Sequence, residues 1–158
     1  MESIQFWQNF NLGTELQISG NFLFNGLHAF HTMERLDSTD EIFEVLYNLA
    51  VGFERLLKIQ VALLEINKKT NLDEFEESLI THNHLALVAR INKIQTLKFS
   101  TPHTELLNIL GKFYKTYRYN RFQLSSINDS KPETNALINF FVKHLKLKLP
   151  NMTAVFTN

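Results

Sequence analysis

The stretch Ser38 to Leu64, STDEIFEVLYNLAVGFERLLKIQVALL, decides the fold. Ile42, Val45, Leu46, Leu49, Phe53, Leu56, Leu57, Val61 and Leu64 recur at steps of three and four, the spacing of one wide apolar stripe on a helix. Ser38-Thr39-Asp40-Glu41 reads as a capping box at its start: the hydroxyl accepts an orphan amide and the carboxylate three residues on reaches back. Glu54 and Lys58 stand at i and i+4 in the favourable order and are predicted on the outer side. Asn67-Lys68-Lys69 brings positive charge to the negative C-terminal end, where the helix is predicted to stop.

Outward from this helix the pattern repeats more weakly. Upstream, Leu16, Leu23, Leu27 and Phe30 recur at helical steps over 12–36, with Gly13, Gly20 and Gly26 as places for another helix to come close. Downstream, 71–80 reads as a short acidic turn or helix with Asn71 and Glu74 as a second capping box. Leu85 to Leu97 is predicted as a third main helix. Thr101-Pro102 opens the fourth, Thr as cap and Pro at the first helical position, where no amide is needed. Its stripe is Leu106, Leu107, Leu110, Phe113, Tyr114 and Tyr117. A loop over 128–131 leads to a fifth helix, from Pro132 toward Leu149, halted by Pro150. With five glycines and three prolines, long helices are favoured over many short strands. The expectation is an all-α chain: one domain over 1–158, an antiparallel up-and-down bundle of four to five main helices, core at about 12–149 and a frayed or continuing tail at 150–158.

Composition narrows the chemistry. The chain has 158 residues, 44% hydrophobic and 20% charged, which suits a folded domain with a real core. Sixteen basic residues balance sixteen acidic ones, so no global field draws in nucleic acid and any such contact needs a local patch. The lack of cysteine excludes disulfides, thiolate metal sites and a Cys nucleophile, and fits a cytoplasmic protein. The start, MESIQFWQNF, is no secretory signal, and no apolar run reaches the ~20 residues that span a bilayer. A soluble protein without membrane contact, metal or small-molecule cofactor is expected.

Three groups invite a chemical reading. His82 and His84, in THNHLALV, point about 200° apart on a helix and cannot share a metal there, though on an extended segment they could; because the segment leads into an apolar helical stripe, a helix entrance is the favoured expectation. One ring then caps or packs while the other faces solvent. His28 and His31 stand at i and i+3 with Glu34 one turn further, a better metal geometry whose ordinary reading is polar residues on a helix flank. Phe113-Tyr114-Lys115-Thr116-Tyr117-Arg118-Tyr119-Asn120-Arg121-Phe122 alternates aromatics and cations. Helical spacing puts Tyr114, Tyr117 and Arg121 on one face and Lys115, Arg118 and Phe122 on another. Arginine grips phosphate bidentately and tyrosine stacks on bases, so these residues are RNA-contact candidates; the ordinary reading is half-buried rings with snorkelling cations. Phosphate loops, nucleophile elbows and zinc-protease helices are missing.

Three of these segments together resemble HEPN domains. Tyr47-Asn48-Leu49-Ala50-Val51-Gly52-Phe53-Glu54-Arg55-Leu56-Leu57-Lys58 is similar to their long second helix, in which an acidic residue and a lysine flank an aliphatic run. Thr81 to Val88 is similar to the His-x-Leu entrance of their third helix, and Tyr114 to Arg121, with Arg118-Tyr119, to the Arg-Tyr segment of their last core helix. The likeness covers 12–122, about two-thirds of the chain. It implies an up-and-down helical bundle, commonly dimeric, of the kind found in prokaryotic toxin–antitoxin, CRISPR-linked and anti-phage systems. Active members are metal-independent ribonucleases with an Arg-x(4–6)-His motif on the last core helix. This chain departs there: Arg118 is followed by YNRFQLSS, and its other arginines have no histidine at that spacing either. The resemblance therefore implies a non-catalytic module that binds a protein partner, a second copy or another chain, with RNA contact through Tyr114, Lys115, Tyr117, Arg118 and Arg121. The rival expectation is a divergent metal-independent endoribonuclease that pairs Arg118 with His82, His84 or His103 from elsewhere in the fold. A third is a purely structural interaction domain.

Overall fold

The computed structural model describes residues 3–67, 69–120, 122–124 and 131–146. The described residues form helices and no strands. Two long helices lead, α1 (Ser3–Thr32) and α2 (Thr39–Glu65). Short α3 (Leu72–Ser78) and α4 (His84–Asn92) follow, then α5 (Thr101–Lys112). A five-residue π-helical turn, Phe113–Tyr117, carries α5 into the single turn α6 (Arg118–Asn120), and α7 (Pro132–Leu145) comes last. The fifth helix, expected to run toward Leu149, ends at Leu145, where Lys146 takes the left-handed conformation (φ 52°), and the expected fraying tail lies outside the described residues. No helix among the described residues is long and apolar enough to cross a membrane.

The predicted α2 stripe does the organising. Ile42, Val45, Leu46, Ala50, Leu57 and Val61 are buried, and the other elements pack on this rod or on its immediate partners, α3 through Phe75. α1 lies antiparallel along it: Leu23 meets Gly52, Leu49 meets Gly26, and Glu15 pairs with Arg55. Of the three α1 glycines, only Gly26 is a point of close approach. A Cβ there would stand 2.8 Å from the Leu49 side chain, whereas Gly13 and Gly20 face open space. The reciprocal notch, Gly52, receives Leu23, and the buried Ser19 hydroxyl donates to the Gly52 carbonyl at 2.7 Å. Small residues let the two backbones approach until a side-chain hydroxyl reaches main chain.

Local signals need correction. Ser38 is the N-cap of α2, yet its hydroxyl bonds Asp40 instead of an amide, and Glu41 accepts from the backbone of Glu34 and Arg35 in the preceding loop. Asn71 caps α3 only in position; its side-chain amide donates to Glu74 at 2.8 Å. The reciprocal box lies at α5, where Ser100, one residue before the predicted cap, pairs with His103 and places Pro102 in the first turn. α1 begins earlier than its apolar period indicated, and α4 stops at Asn92, whose side chain accepts from Leu97 N and turns the chain.

Two cores share α2. Around its C-terminal half lies an aliphatic cluster: Leu57, Val61, Ala62 and Ile66 with Leu12, Leu87, Ile91 and Leu107. Arg90 pins α4 there through Glu65 and the Ser78 hydroxyl. Around its N-terminal half lies an aromatic one: Ile42, Leu46 and Ala50 with Leu110, Phe113, Phe140 and Phe141. Phe53 touches both.

Candidate functional site

Between the two cores, α2 turns a polar layer inward. Glu54 is buried, at 8% exposure, although its pairing with Lys58 suggested the outer side. The spacing Ala50, Glu54, Leu57, Val61 runs in steps of four, three and four, so Glu54 occupies a core position. A carboxylate there must be compensated. Lys58 Nζ donates to Oε1 at 2.7 Å, and His82 Nδ1 lies 2.9 Å from Oε2. Both oxygens are thus occupied, one by a helix neighbour and one by the segment leading into α4.

That segment explains the two histidines. Asn83, between them, is the N-cap of α4: its side-chain oxygen accepts from Ala86 N at 3.2 Å, and its own amide donates to Thr81 Oγ1. His82 lies outside the helix and half-exposed; His84 begins it and is fully buried. His84 Nε2 donates to the Ala50 carbonyl at 2.9 Å. Its Nδ1 faces Gly111, where a Cβ would stand 3.3 Å away, and has no hydrogen-bond partner. Burial holds the His84 pKa below the usual 6.5, only partly offset by the bond to Ala50. His84 is a neutral packing residue joining α4 to α2. The helix-entrance reading fits this pair: one ring packs, the other faces outward.

His82 packs its ring against Tyr114, 4.6 Å between centroids. The same tyrosine carries Arg118, whose guanidinium carbon sits 3.7 Å from the Tyr114 ring centroid and 4.5 Å from that of Tyr119. Tyr114 and Arg118 are therefore in contact, not on separate faces as the helical wheel suggested. The π turn between them widens the backbone and places Phe113 in the core with Tyr114 over the cleft. Arg118 Nε is buried without a hydrogen-bond partner, and among the described residues no carboxylate pairs with this guanidinium.

Glu54, Lys58, His82 and Tyr114 line a cleft of about 400 Å³, completed by Trp7, Leu12 and Glu15 of α1 and by Arg55 of α2. Arg55 is tied to Glu15 as Lys58 is to Glu54, so the cleft's own cations are neutralised. Arg118, in contact with Tyr114 of the cleft lining, has no carboxylate partner among the described residues. Trp7 had no period or motif to mark it, and Glu54 was expected on the outer side because of its i, i+4 pairing with Lys58.

The other candidates go elsewhere. His103 is exposed and spends Nδ1 on the Ser100 cap at the start of α5, so among the histidine candidates only His82 joins Tyr114 and, through it, Arg118. Lys115 lines a smaller cleft with Asn83, Asn108 and Lys112, and Tyr117 packs on the aromatic core. Arg121 lies outside the described residues. His28 stacks on Phe24 with ring centroids 5.9 Å apart, while Glu34 falls beyond the end of α1 and does not continue the helical face. Among the described residues, no group of three or more His, Asp or Glu side chains is arranged to hold a metal ion.

Compared with known proteins, the chain matches no family model, and no curated protein or solved structure matches it significantly.

Proposed function

We propose that the chain is a non-catalytic, HEPN-like helical module that acts by binding: a protein partner through its helical faces and RNA at the Tyr114–Arg118 edge of the cleft. Its role is that of an accessory component in a prokaryotic defence or toxin–antitoxin type system. The observation that carries the reading is Arg118. It is clamped by two tyrosine rings, and its donors have no carboxylate among the described residues. Stacking fixes the guanidinium plane while leaving its fork for an external anion such as a phosphodiester. The missing histidine after Arg118 supports binding without cutting. The test is fluorescence anisotropy with single-stranded RNA at low salt, where phosphate contacts are strongest. Arg118→Ala should weaken binding about tenfold, the effect of one charge-assisted contact, with the RNA left intact. Absence of binding even at low salt favours a purely structural domain.

One observation favours a second reading, a divergent metal-independent endoribonuclease. His82 is held by a buried carboxylate at 2.9 Å and lies on the ring that also carries Arg118. A neutral His82 that donates Nδ1–H to Glu54 leaves Nε2 free to take a proton from a ribose 2′-hydroxyl. Arg118 would stabilise the charge that develops on the phosphate. Metal-free cleavage lost in both His82→Ala and Arg118→Ala would replace the binding reading with this one.

A further inference from the structure

The cleft beside the polar layer keeps hydrogen-bonding groups that no neighbour uses. Its walls are mainly apolar, with Trp7 and Leu12 from α1, Ile59 and Ala62 from α2 and Leu79 from the end of α3. We propose that it binds a small, neutral heteroaromatic molecule: a flat ring system whose edge carries an N–H donor beside a ring-nitrogen or carbonyl acceptor, as in a free purine or pyrimidine base.

Size, charge, hydrogen bonding and shape select that occupant. A volume of about 400 Å³ lies at the lower end of the range for ligand clefts, room for one or two fused rings. Each cation of the lining has its own carboxylate: Lys58 is paired with Glu54 and Arg55 with Glu15. A charged ligand would take one member of a pair and leave the other uncompensated, whereas a neutral one leaves both pairs intact. The edge is set by Glu54. Its Oε2 takes the Nδ1–H of a neutral His82 at 2.9 Å, which makes Nε2 an acceptor, and Nε2 has no partner among the described residues. Its Oε1 takes one N–H of Lys58 at 2.7 Å and leaves the other donors of that ammonium unspent. Acceptor and donor therefore hang from the two oxygens of one carboxylate, side by side on the cleft wall. They complement an edge that offers an N–H beside a nitrogen or a carbonyl. Flat walls favour a ring over an aliphatic body: Trp7 and Tyr114 both line the cleft, and the His82 ring lies 4.6 Å from that of Tyr114. Arg118 takes no part, so this inference goes beyond the RNA reading and does not depend on it.

Trp7 is the chain's single tryptophan and lines the cleft, so its emission reports occupancy directly. At least one of adenine and uracil, titrated into the full chain, should quench it saturably, and inorganic phosphate should neither quench nor compete. The base that binds, once methylated on the N–H that His82 accepts, should bind about tenfold more weakly, the effect of one lost hydrogen bond. His82→Phe keeps a ring against Tyr114 but has no acceptor. In that variant the methylated and unmethylated bases should bind alike, with helicity by circular dichroism unchanged. The methylation contrast on the unaltered chain needs no variant, so it decides the point even where His82→Phe fails to fold. No saturable quenching by either base overturns the proposal. So does displacement of the base by phosphate, which would mark an anion site, and so does equal binding of the methylated base to the unaltered chain.

Discussion

The two halves of α2 solve the same packing problem with different side chains. The C-terminal half buries Leu57, Val61 and Ala62, with Ile66 just past its end, among mainly aliphatic neighbours joined by Phe75, and is clamped by Arg90 on Glu65. The N-terminal half packs Ile42 and Leu46 among aromatic rings, with Phe43 edge-on to Phe113 at 5.1 Å and Tyr47 stacked on Tyr114 at 6.1 Å. Branched aliphatics dominate the contacts with α4, and flat rings those with α7 and the π turn. Where the two regimes meet, from Ala50 to Glu54, Phe53 touches both clusters and polar groups enter the interior beside it. The chain uses hydrogen bonds there: Ala50 to His84, Gly52 to Ser19, Glu54 to Lys58 and His82. The difference teaches that the candidate site occupies a seam between cores, where polar groups displace the least apolar packing.

The sharpest way to break the contrast is to hollow out one half. Phe113→Ala, at a position with no exposed surface, should cost about 3–5 kcal/mol, whereas Val61→Ala at the aliphatic end should cost roughly 1.5–3 kcal/mol. Urea unfolding of both variants measures the ratio; equal losses would mean the two cores are energetically alike. The seam is tested next by Gly52→Ala. Its new Cβ would stand 2.8 Å from Leu23 Cγ and 3.0 Å from Leu23 N, so α1 must move, at about 1–3 kcal/mol, outweighing the helix propensity gained. An unchanged melting temperature would show that the α1–α2 seam is soft.

Glu54→Gln removes the charge that compensates Lys58 and orients His82, and should cost about 1–2 kcal/mol in thermal unfolding. Loss of the nuclear Overhauser contacts between the His82 and Tyr114 rings should accompany it. A variant in which those contacts persist would show that packing alone positions the imidazole. The smallest effect concerns acid. Burial keeps the His84 pKa below 6.5, so the unfolded chain takes up the proton first. Stability should be flat above that value and fall as pH drops below it. His84→Gln keeps a donor for Ala50 and should flatten that limb; denaturation midpoints between about pH 8 and pH 5 measure the slope.

Much of the architecture was legible in sequence because the apolar period of α2 leaves little freedom. Ile42 to Leu64 can bury its stripe only among other helices. The end signals of helices proved less readable. Ser38 and Asn71 occupy cap positions, yet their side chains bond other side chains instead of amides, because Asp40 and Glu74 stand within reach. The site was half visible. Tyr114 and Arg118 stood out by type, and their i, i+4 spacing already makes them neighbours on a helix, although the aromatic–basic pattern was divided between two faces. Glu54 was hidden by its own partner: an i, i+4 ion pair reads as surface decoration, and only the alternation with Ala50, Leu57 and Val61 tells that this one points in.

The π turn at Phe113–Tyr117 has a consequence for how the cleft is calibrated. The backbone there holds one residue more than an α-helix needs to cover the same rise. Removing a single residue from it would let the rod close to ordinary α pitch while the segment beyond kept near its present direction. Arg118 would then approach Tyr114 from three residues away instead of four, at a different angle, while Leu107 and Leu110, upstream, kept their seats. That surplus residue works like a shim, setting the angle of the guanidinium independently of the core that anchors the helix.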